Sequence, residues 1–372
     1  MNLLHVIPSI DALRGGPSRA LLDMVQALTQ KNIHNTVVAA EGNSKDFNQS
    51  TDSKLIVFPS LIGRRWGFSP ALSKWISKNI SNYDIVHIHS FFSYTTLRTA
   101  NEANKQHIPY VLRPAGALDE FSFQQKQFKK QLFFNFFGEQ ILKNAKMVHC
   151  TSRFEEAQIL KKDPTAKTKI IPLGTYLEGN PRNENEKNSA LTLIYLGRFY
   201  PNKGLELLIQ AVARLKNSGR ELKLILAGKG DPSYEMKLKN LIQQEGVAGQ
   251  ILWVGFLGEA EKAVWFAKAD VFVLPSDHEN FGISAVEAMA CGLPVIVSDQ
   301  VGISEEIVSS KAGLIIERNE SQLIAAIEHF INNPKDIEQI GTNAQKLAEE
   351  KFRWPQIADQ LTELYNSILN ER

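Results

Sequence analysis

Four charged side chains stand where short apolar runs break off, and their spacing suits the grip of a ligand that is anionic and rich in hydroxyls. Arg198 and Lys203 share one short loop in "LGRFYPNKGLELL", between strand-forming residues ending at Leu196 and a helical pattern opening at Gly204. Glu279 and Glu287 lie eight positions apart in "SDHENFGISAVEAMACGLPVIVSD", separated by an Asn280–Phe281–Gly282 turn and a helix start at Ile283. An arginine fork binds phosphate through two bonds and a lysine adds a point charge, so the first pair can clamp a diphosphate. The turn aims backbone N–H groups at a phosphate. An acid there would repel that phosphate, which leaves both carboxylates to accept hydrogen bonds from sugar hydroxyls. Cations on phosphates and acids on two sugars describe a nucleotide-sugar. The ordinary explanations stay open beside this one: surface Lys and Arg are common, and acids near a helix start suit its macrodipole.

Other loops point the same way with less force. "RGGPSRALLDMV" follows the first apolar run, and Gly15 and Gly16 allow close approach of backbone to a ligand beside a helix start. It is not a dinucleotide fingerprint, and a plain turn explains it equally well. "LILAGKGD" ends a run with Gly228 and Gly230, and "ILWVGFL" ends another with Phe256 and Leu257, whose backbone can meet a base edge.

These residues need a frame, and the hydrophobic pattern supplies one. Runs at Leu3–Ile7, Thr36–Ala39, Lys54–Phe58, Ile85–Ile88, Tyr110–Arg113 and Met147–Cys150 read as six strands. A second set reads at Leu191–Leu196, Leu222–Ala227, Ile251–Val254, Val271–Pro275, Pro294–Ser298 and Gly313–Ile316. Helical periodicity between the runs, as over Ser18–Gln30 and Ser93–Asn104, predicts parallel sheets covered on both faces. The polar stretch "YLEGNPRNENEKNSA", residues 176–190, reads as a linker. The expected architecture is therefore α/β, two doubly wound Rossmann-like domains facing a central cleft. Residues 1–175 form an acceptor-side domain and 190–354 a nucleotide-sugar domain. Ligands of such sheets sit at the carboxyl ends of the strands. Pro355 suits the first turn of a closing helix.

Composition narrows the function classes. The 372 residues, 43% hydrophobic and 22% charged, are globular in type, and the length favours two domains. A net charge of +2 gives no case for nucleic acid. The charge is uneven, however: residues 105–169 hold twelve Lys/Arg against six Asp/Glu, which predicts a local basic face. Cys150 and Cys291 are isolated, without metal-type spacing, and read as buried reduced thiols. No signal-peptide pattern and no long apolar run appear, so a cytoplasmic location is expected, at most peripheral on the inner face of the plasma membrane. One stretch bears on that contact. Between Phe121 and Phe137 lie seven Phe and three Lys. The pattern fits a core helix with Phe inward and Lys solvated, and it also fits a helix on an anionic membrane.

The segments "GGP", "DIVHIHS", "LGRFYPNKG", "PSDHENFGISAVEAMACGLPVI" and "SEEIV" resemble family 4 of the retaining glycosyltransferases, of the bacterial exopolysaccharide-biosynthesis type, with the GT-B fold. The resemblance spans nearly the whole chain. It implies that Arg198 and Lys203 bind the donor diphosphate, Glu287 the nucleotide ribose, and Glu279 the transferred sugar near its C3 hydroxyl. The backbone of Asn280, Phe281, Gly282 and Ile283 would meet the distal phosphate and sugar, and Gly16 would approach the phosphates. Gly228 would border the same crevice, and Phe256 and Leu257 would line the base pocket. The closing helix, 355–372, would return to the first domain. One departure stands out: "LRPAGALDEF" carries Ala115 where relatives often show a histidine or arginine that touches the donor sugar. His89 or Arg113, the latter on the acceptor side, would have to compensate. His87 is expected on the opposite sheet face from His89, in a structural role.

The implied reaction is transfer of a hexose, UDP-glucose being the first choice of donor, to a saccharide or lipid-linked acceptor of polysaccharide biosynthesis. Arg198, Lys203, Glu279 and His89 form the expected catalytic set. Retention of configuration, no cofactor and no metal are expected, since no Asp-x-Asp motif is present and the cations can neutralise the leaving diphosphate. The competing readings are a nucleotide-sugar epimerase, with a phosphorylase ranked lower, and a nonenzymatic nucleotide-sugar-binding regulator.

Overall fold

The computed structural model describes residues 1–11, 16–42, 52–61, 66–124, 127–179 and 190–371. It divides into two compact units, Met1–Gly174 with Trp354–Arg372, and Thr175–Arg353. Gly15 and most of the expected linker, residues 180–189, lie outside the described residues.

The first unit is built on seven parallel strands: β1 (Asn2–Ile7), β2 (His34–Ala39), β3 (Ser53–Val57), β4 (Ile85–His89), β5 (Tyr110–Arg113), β6 (Met147–Cys150) and β7 (Thr168–Ile170), in the order β3-β2-β1-β4-β5-β6-β7. The central strands are buried along their length because helices cover both faces, which is why they read as continuous apolar runs. The six expected strands are all present. The seventh, β7, is a three-residue edge strand, partly exposed, with too short a pattern to signal itself. Helix starts follow their caps: Ser93 accepts from the Thr96 N–H before the helix Tyr94–Lys105, and Ser69 precedes Pro70 at the start of Pro70–Asn79. The closing helix, Trp354–Asn370, buries Trp354, Ile357, Ala358, Leu361, Leu364, Tyr365 and Ile368, one face at three- and four-residue spacing. It packs on the helix Gly16–Thr29 of the same unit.

The second unit has six parallel strands: β8 (Leu191–Leu196), β9 (Leu222–Ala227), β10 (Ile251–Gly255), β11 (Val271–Leu274), β12 (Val295–Ser298) and β13 (Gly313–Ile316), ordered β10-β9-β8-β11-β12-β13. Leu193, Ile194, Leu224, Val273 and Ile296 form its fully buried centre. The order reverses direction at β8, and β9 and β11 flank it. The loops leaving β8, β9 and β11 therefore meet, and these are the loops that carry Arg198, Lys203, Gly228 and Glu279.

The Phe-rich stretch departs from the expected core helix. It folds as the helices Glu120–Gln124, Gln127–Phe133 and Glu139–Asn144, the last two joined by a π-turn at Phe134–Gly138. Phe123, Phe133 and Phe134 go inward, while Phe128, Phe136 and Phe137 stay exposed, because so many rings in one stretch exceed a single helix face. Cys150 and Cys291 are free and buried, as expected.

Candidate functional site

In the second unit the chain is forced to bring Lys203 to Glu279. After β8 the loop ends in a 3-10 turn, Pro201–Lys203, and then at Gly204, which has φ 71° and caps the helix Leu205–Asn217. A Cβ at Gly204 would lie 2.0 Å from the Pro275 carbonyl oxygen, so glycine alone lets this turn seat against the end of β11. Asn202 then fastens the two loops: its carbonyl accepts from the Asp277 N–H at 2.8 Å, and its side-chain amide donates to the His278 carbonyl at 3.3 Å. Glu279 is held from the other side, its N–H donating to the Gln300 carbonyl (3.0 Å) and its carbonyl accepting from the Gly302 N–H (2.9 Å). The outcome is an ion pair between Lys203 Nζ and Glu279 Oε2, with side chains only 16% and 24% exposed.

Arg198 remains at the surface, its guanidinium 5.4 Å above the Tyr200 ring. Its loop touches the next one. The Phe199 N–H donates to the Lys229 carbonyl at 2.8 Å, and a Cβ on Gly228 would stand 1.9 Å from the Gly197 carbonyl oxygen. The Gly228 N–H in turn donates to the Gly255 carbonyl at 2.6 Å, which fixes the start of the loop carrying exposed Phe256 and buried Leu257.

The helix Ile283–Ala290 starts from Gly282, which has φ 98° and supplies no side-chain cap, so Asn280, Phe281, Gly282 and Ile283 form the entry to an uncapped helix terminus. Glu287 sits inside that helix and is buried. Its Oε1 accepts from Lys262 Nζ at 2.7 Å, and the same ammonium donates to Glu259 at 2.8 Å. Burial by itself would lower the Lys262 pKa; the Glu287 and Glu259 carboxylates outweigh burial and raise it.

The first unit carries a different arrangement. His5, His87, His89 and His149 are fully or almost fully buried on β1, β4 and β6. The expectation for His87 is corrected here. Residues i and i+2 of a strand share a face, and the His87 and His89 rings are 4.2 Å apart. Hydrogen-bond partners fix the tautomers. The Asn35 amide nitrogen donates to Thr29 and to the Ile33 carbonyl, so its oxygen accepts from His5 Nε2 at 3.1 Å. His5 Nδ1 is thus an acceptor, and His89 Nε2 donates to it at 3.0 Å. His149 Nε2 donates to the Ile171 carbonyl at 2.7 Å, leaving its Nδ1 to accept from His87 Nε2, while the Tyr365 hydroxyl donates to His87 Nδ1 at 2.8 Å. Every ring is then neutral, as burial requires: the pKa falls to about 4 at His5 and about 3 at His149, and well below normal at His87 and His89.

Arg113, the register partner of His89 on β5, is also buried, its pKa pushed down to about 10 by burial against the opposing pull of Glu155. It donates to the Pro17 carbonyl at 3.2 Å, beside Gly16, while its Nε and Nη1 and the His89 Nδ1 have no partner among the described residues. Nitrogens of His5, His87 and His89 come within 4.8 Å of one another, close enough for a metal ion. The lone pairs of His5 Nδ1 and His87 Nδ1 are directed into the hydrogen-bond chain, and the Arg113 charge nearby opposes a cation.

Comparison with known proteins adds the family. A profile described as "Glycosyltransferase Family 4" matches residues 14–178, and one described as "Glycosyl transferases group 1" matches 178–347. The chain belongs to the glycosyltransferases of family 4. Among its relatives, an uncharacterised glycosyltransferase of Methanocaldococcus jannaschii is 33% identical over 174 residues, 46% of this chain and 44% of that protein. The capsular polysaccharide biosynthesis glycosyltransferase CapM of Staphylococcus aureus is 28% identical over 185 residues, 50% and 48% of the two chains. The chain thus spans about half the length of these curated relatives. A solved structure of Anabaena HepE in complex with UDP and glucose superposes with a TM-score of 0.81 at 22% identity, covering 99% of this chain and 100% of that one. The shared fold is GT-B.

Within this glycosyltransferase, one partner of the candidate site residues escaped the sequence reading. Lys262 looks like half of a surface i,i+3 pair with Glu259, and nothing local shows that it also reaches Glu287. The turn at Ala115 has φ 54°, a left-handed conformation that a histidine or arginine there would share with it, followed by Gly116 at φ 77°.

Proposed function

We propose that this glycosyltransferase moves a hexose from a nucleotide-sugar, UDP-glucose first, to a saccharide or lipid-linked acceptor of polysaccharide biosynthesis, with retention and without a metal ion. The observation that carries the reading is the pairing of both carboxylates of the Glu279/Glu287 array with lysines around the carboxyl end of β11. Such pairs hold the acids oriented as acceptors for sugar hydroxyls before the donor arrives. An ammonium has three N–H donors, so Lys203 can keep Glu279 and still meet a phosphate oxygen. Arg198, held at the surface over Tyr200, is the second cation for the diphosphate. As the leaving group gains negative charge and the sugar becomes oxocarbenium-like, these cations stabilise the transition state more than the ground state, which takes the place of a metal. Glu287, fixed by Lys262, takes the ribose; Phe256 and Leu257 border the base; Gly16 and Gly228 leave room for phosphates. In the first unit, His89 Nδ1 and the free donors of Arg113 take over the sugar contact vacated at Ala115. The choice of UDP-glucose is supported by the bound UDP and glucose of HepE, and a polysaccharide acceptor by the name of CapM.

The test is incubation with UDP-, GDP- and ADP-sugars, with and without oligosaccharide and polyprenyl-linked acceptors, with and without EDTA. Acceptor-driven, EDTA-insensitive release of UDP and an axial glycosidic bond by NMR are expected. A sugar altered while still attached to its nucleotide would mean an epimerase, and tight binding with no turnover a sensor.

A further inference from the structure

The chain leaves β4 through a strained residue. Among the described residues five non-glycine positions have φ above zero. Asn32, His107, Ala115 and Lys311 fall between 51° and 59°, in the left-handed well, whereas Ser90 stands apart at 103°. Side chains rarely take that conformation, and glycine would take it without steric cost. Two hydrogen bonds hold the corner: the Ser90 N–H donates to the Arg113 carbonyl at 2.9 Å, and the Ser90 carbonyl accepts from the Thr96 hydroxyl at 3.2 Å. Both are made by the backbone, so glycine would make them equally well. Ser90 is half-buried, and its hydroxyl has no partner among the described residues. The fold therefore bears the strain of a serine here without any internal contact from its side chain.

The corner sits where a ligand is expected. The strand order β3-β2-β1-β4-β5-β6-β7 reverses direction between β1 and β4, and the crevice of such a sheet opens at the carboxyl ends of those two strands. Ser90 is the first residue beyond the carboxyl end of β4. Beside it, the register partners His89 and Arg113 keep buried nitrogens without partners among the described residues.

We propose that Ser90 is a saccharide-contact residue, its strained backbone presenting the side-chain hydroxyl to a sugar hydroxyl at the β1/β4 crevice. The proposal rests on the transferase reading above. A serine hydroxyl both donates and accepts, which matches the donor and acceptor capacity of a sugar hydroxyl. Strain of this kind persists where the rest of the structure holds it in place, and it clusters at sites that grip a ligand.

The experiment compares Ser90→Ala and Ser90→Gly with the wild type, in initial rates over a grid of nucleotide-sugar and oligosaccharide concentrations and in thermal melts. Both variants should lose about three- to tenfold in kcat/KM, the effect of one neutral hydrogen bond. A loss carried by the acceptor KM supports a contact to the acceptor, and one carried by the donor KM a contact to the transferred sugar. Ser90→Gly should melt no lower than the wild type, because the strain released offsets the freedom that glycine adds to the unfolded chain. Its slower transfer then cannot come from a weakened fold. Wild-type kcat/KM in Ser90→Ala overturns the proposal, and so does a Ser90→Gly protein that melts several degrees lower, since the serine would then serve the fold. A wild type that transfers no sugar from any donor overturns the transferase reading and this contact with it. An active wild type with unaffected variants overturns the contact alone.

Discussion

The Lys262–Glu287 pair gives the sharpest quantitative test of the candidate site. Lys262 and Glu287 are 12% and 9% exposed and meet at 2.7 Å, so replacing Lys262 by methionine keeps most of the volume and takes the ammonium away from an acid in a nearly dry position. A hydrogen bond to a charged group is worth about 1.5–3 kcal/mol, and orphaning one partner of a fully buried pair costs about 3–5 kcal/mol. With residual exposure on both sides, Lys262→Met should destabilise the second unit by about 2–3 kcal/mol. Glu287→Gln should cost less, since Lys262 keeps Glu259 at 2.8 Å. The double variant should recover part of the loss, with a coupling of about 1.5–2 kcal/mol, because the carboxylate that lost its ammonium is gone too. Urea unfolding of the four proteins, followed by tryptophan fluorescence, measures this cycle. Kinetics supply the functional half: if Lys262 holds Glu287 for the ribose, Lys262→Met should raise donor KM about tenfold or more while kcat falls less. Additive single variants, with coupling below about 0.5 kcal/mol, would refute the buried pair. A coupled pair with unchanged donor KM would leave the pair standing and remove its role at the ribose.

Lys203→Ala and Arg198→Ala should each cut kcat by about 10²–10³ at saturating donor, the usual cost of losing one electrostatic donor; near-normal initial rates would sink the diphosphate clamp. Gly204→Ala should destabilise the second unit by about 2–3 kcal/mol and abolish transfer, since its Cβ meets the Pro275 carbonyl at 2.0 Å and φ is 71°; a wild-type melting temperature would contradict this. The buried histidines make the first unit sensitive to acid. Their folded pKa values lie below the unfolded 6.5, so the unfolded chain binds more protons and stability falls as pH drops through that window, toward about 4 for His5 and about 3 for His149. Between pH 6.5 and 5, where carboxylates are still largely ionised, each such ring should remove about 2 kcal/mol, and a urea midpoint flat over that range would falsify the neutral chain.

Most of the frame was legible because the signals are local. Parallel strands buried on both faces write themselves as apolar runs, glycines mark turns with positive φ, and the helix at Ile283 follows its glycine; those patterns placed twelve of the thirteen strands among the described residues, Arg198, Lys203 and Glu279 in loops after strands, and Glu287 in the helix. β7 was lost because three partly exposed residues carry no pattern. His87 was readable too, since period two puts it beside His89, and the structure corrects that reading. The Phe-rich segment was ambiguous in principle: composition counts rings, but only packing decides which three turn inward.

What sequence alone determined is therefore the alphabet of the site: cations after one strand, acids around another, glycines where backbones must approach. The tertiary structure decided the partners. Lys203 and Glu279 are separated by 76 positions and meet because β8 and β11 are neighbours in the sheet; Lys262 and Glu287 meet across two helices. Strand order and helix packing are set by burying the whole apolar surface at once, so no local window of residues contains that information.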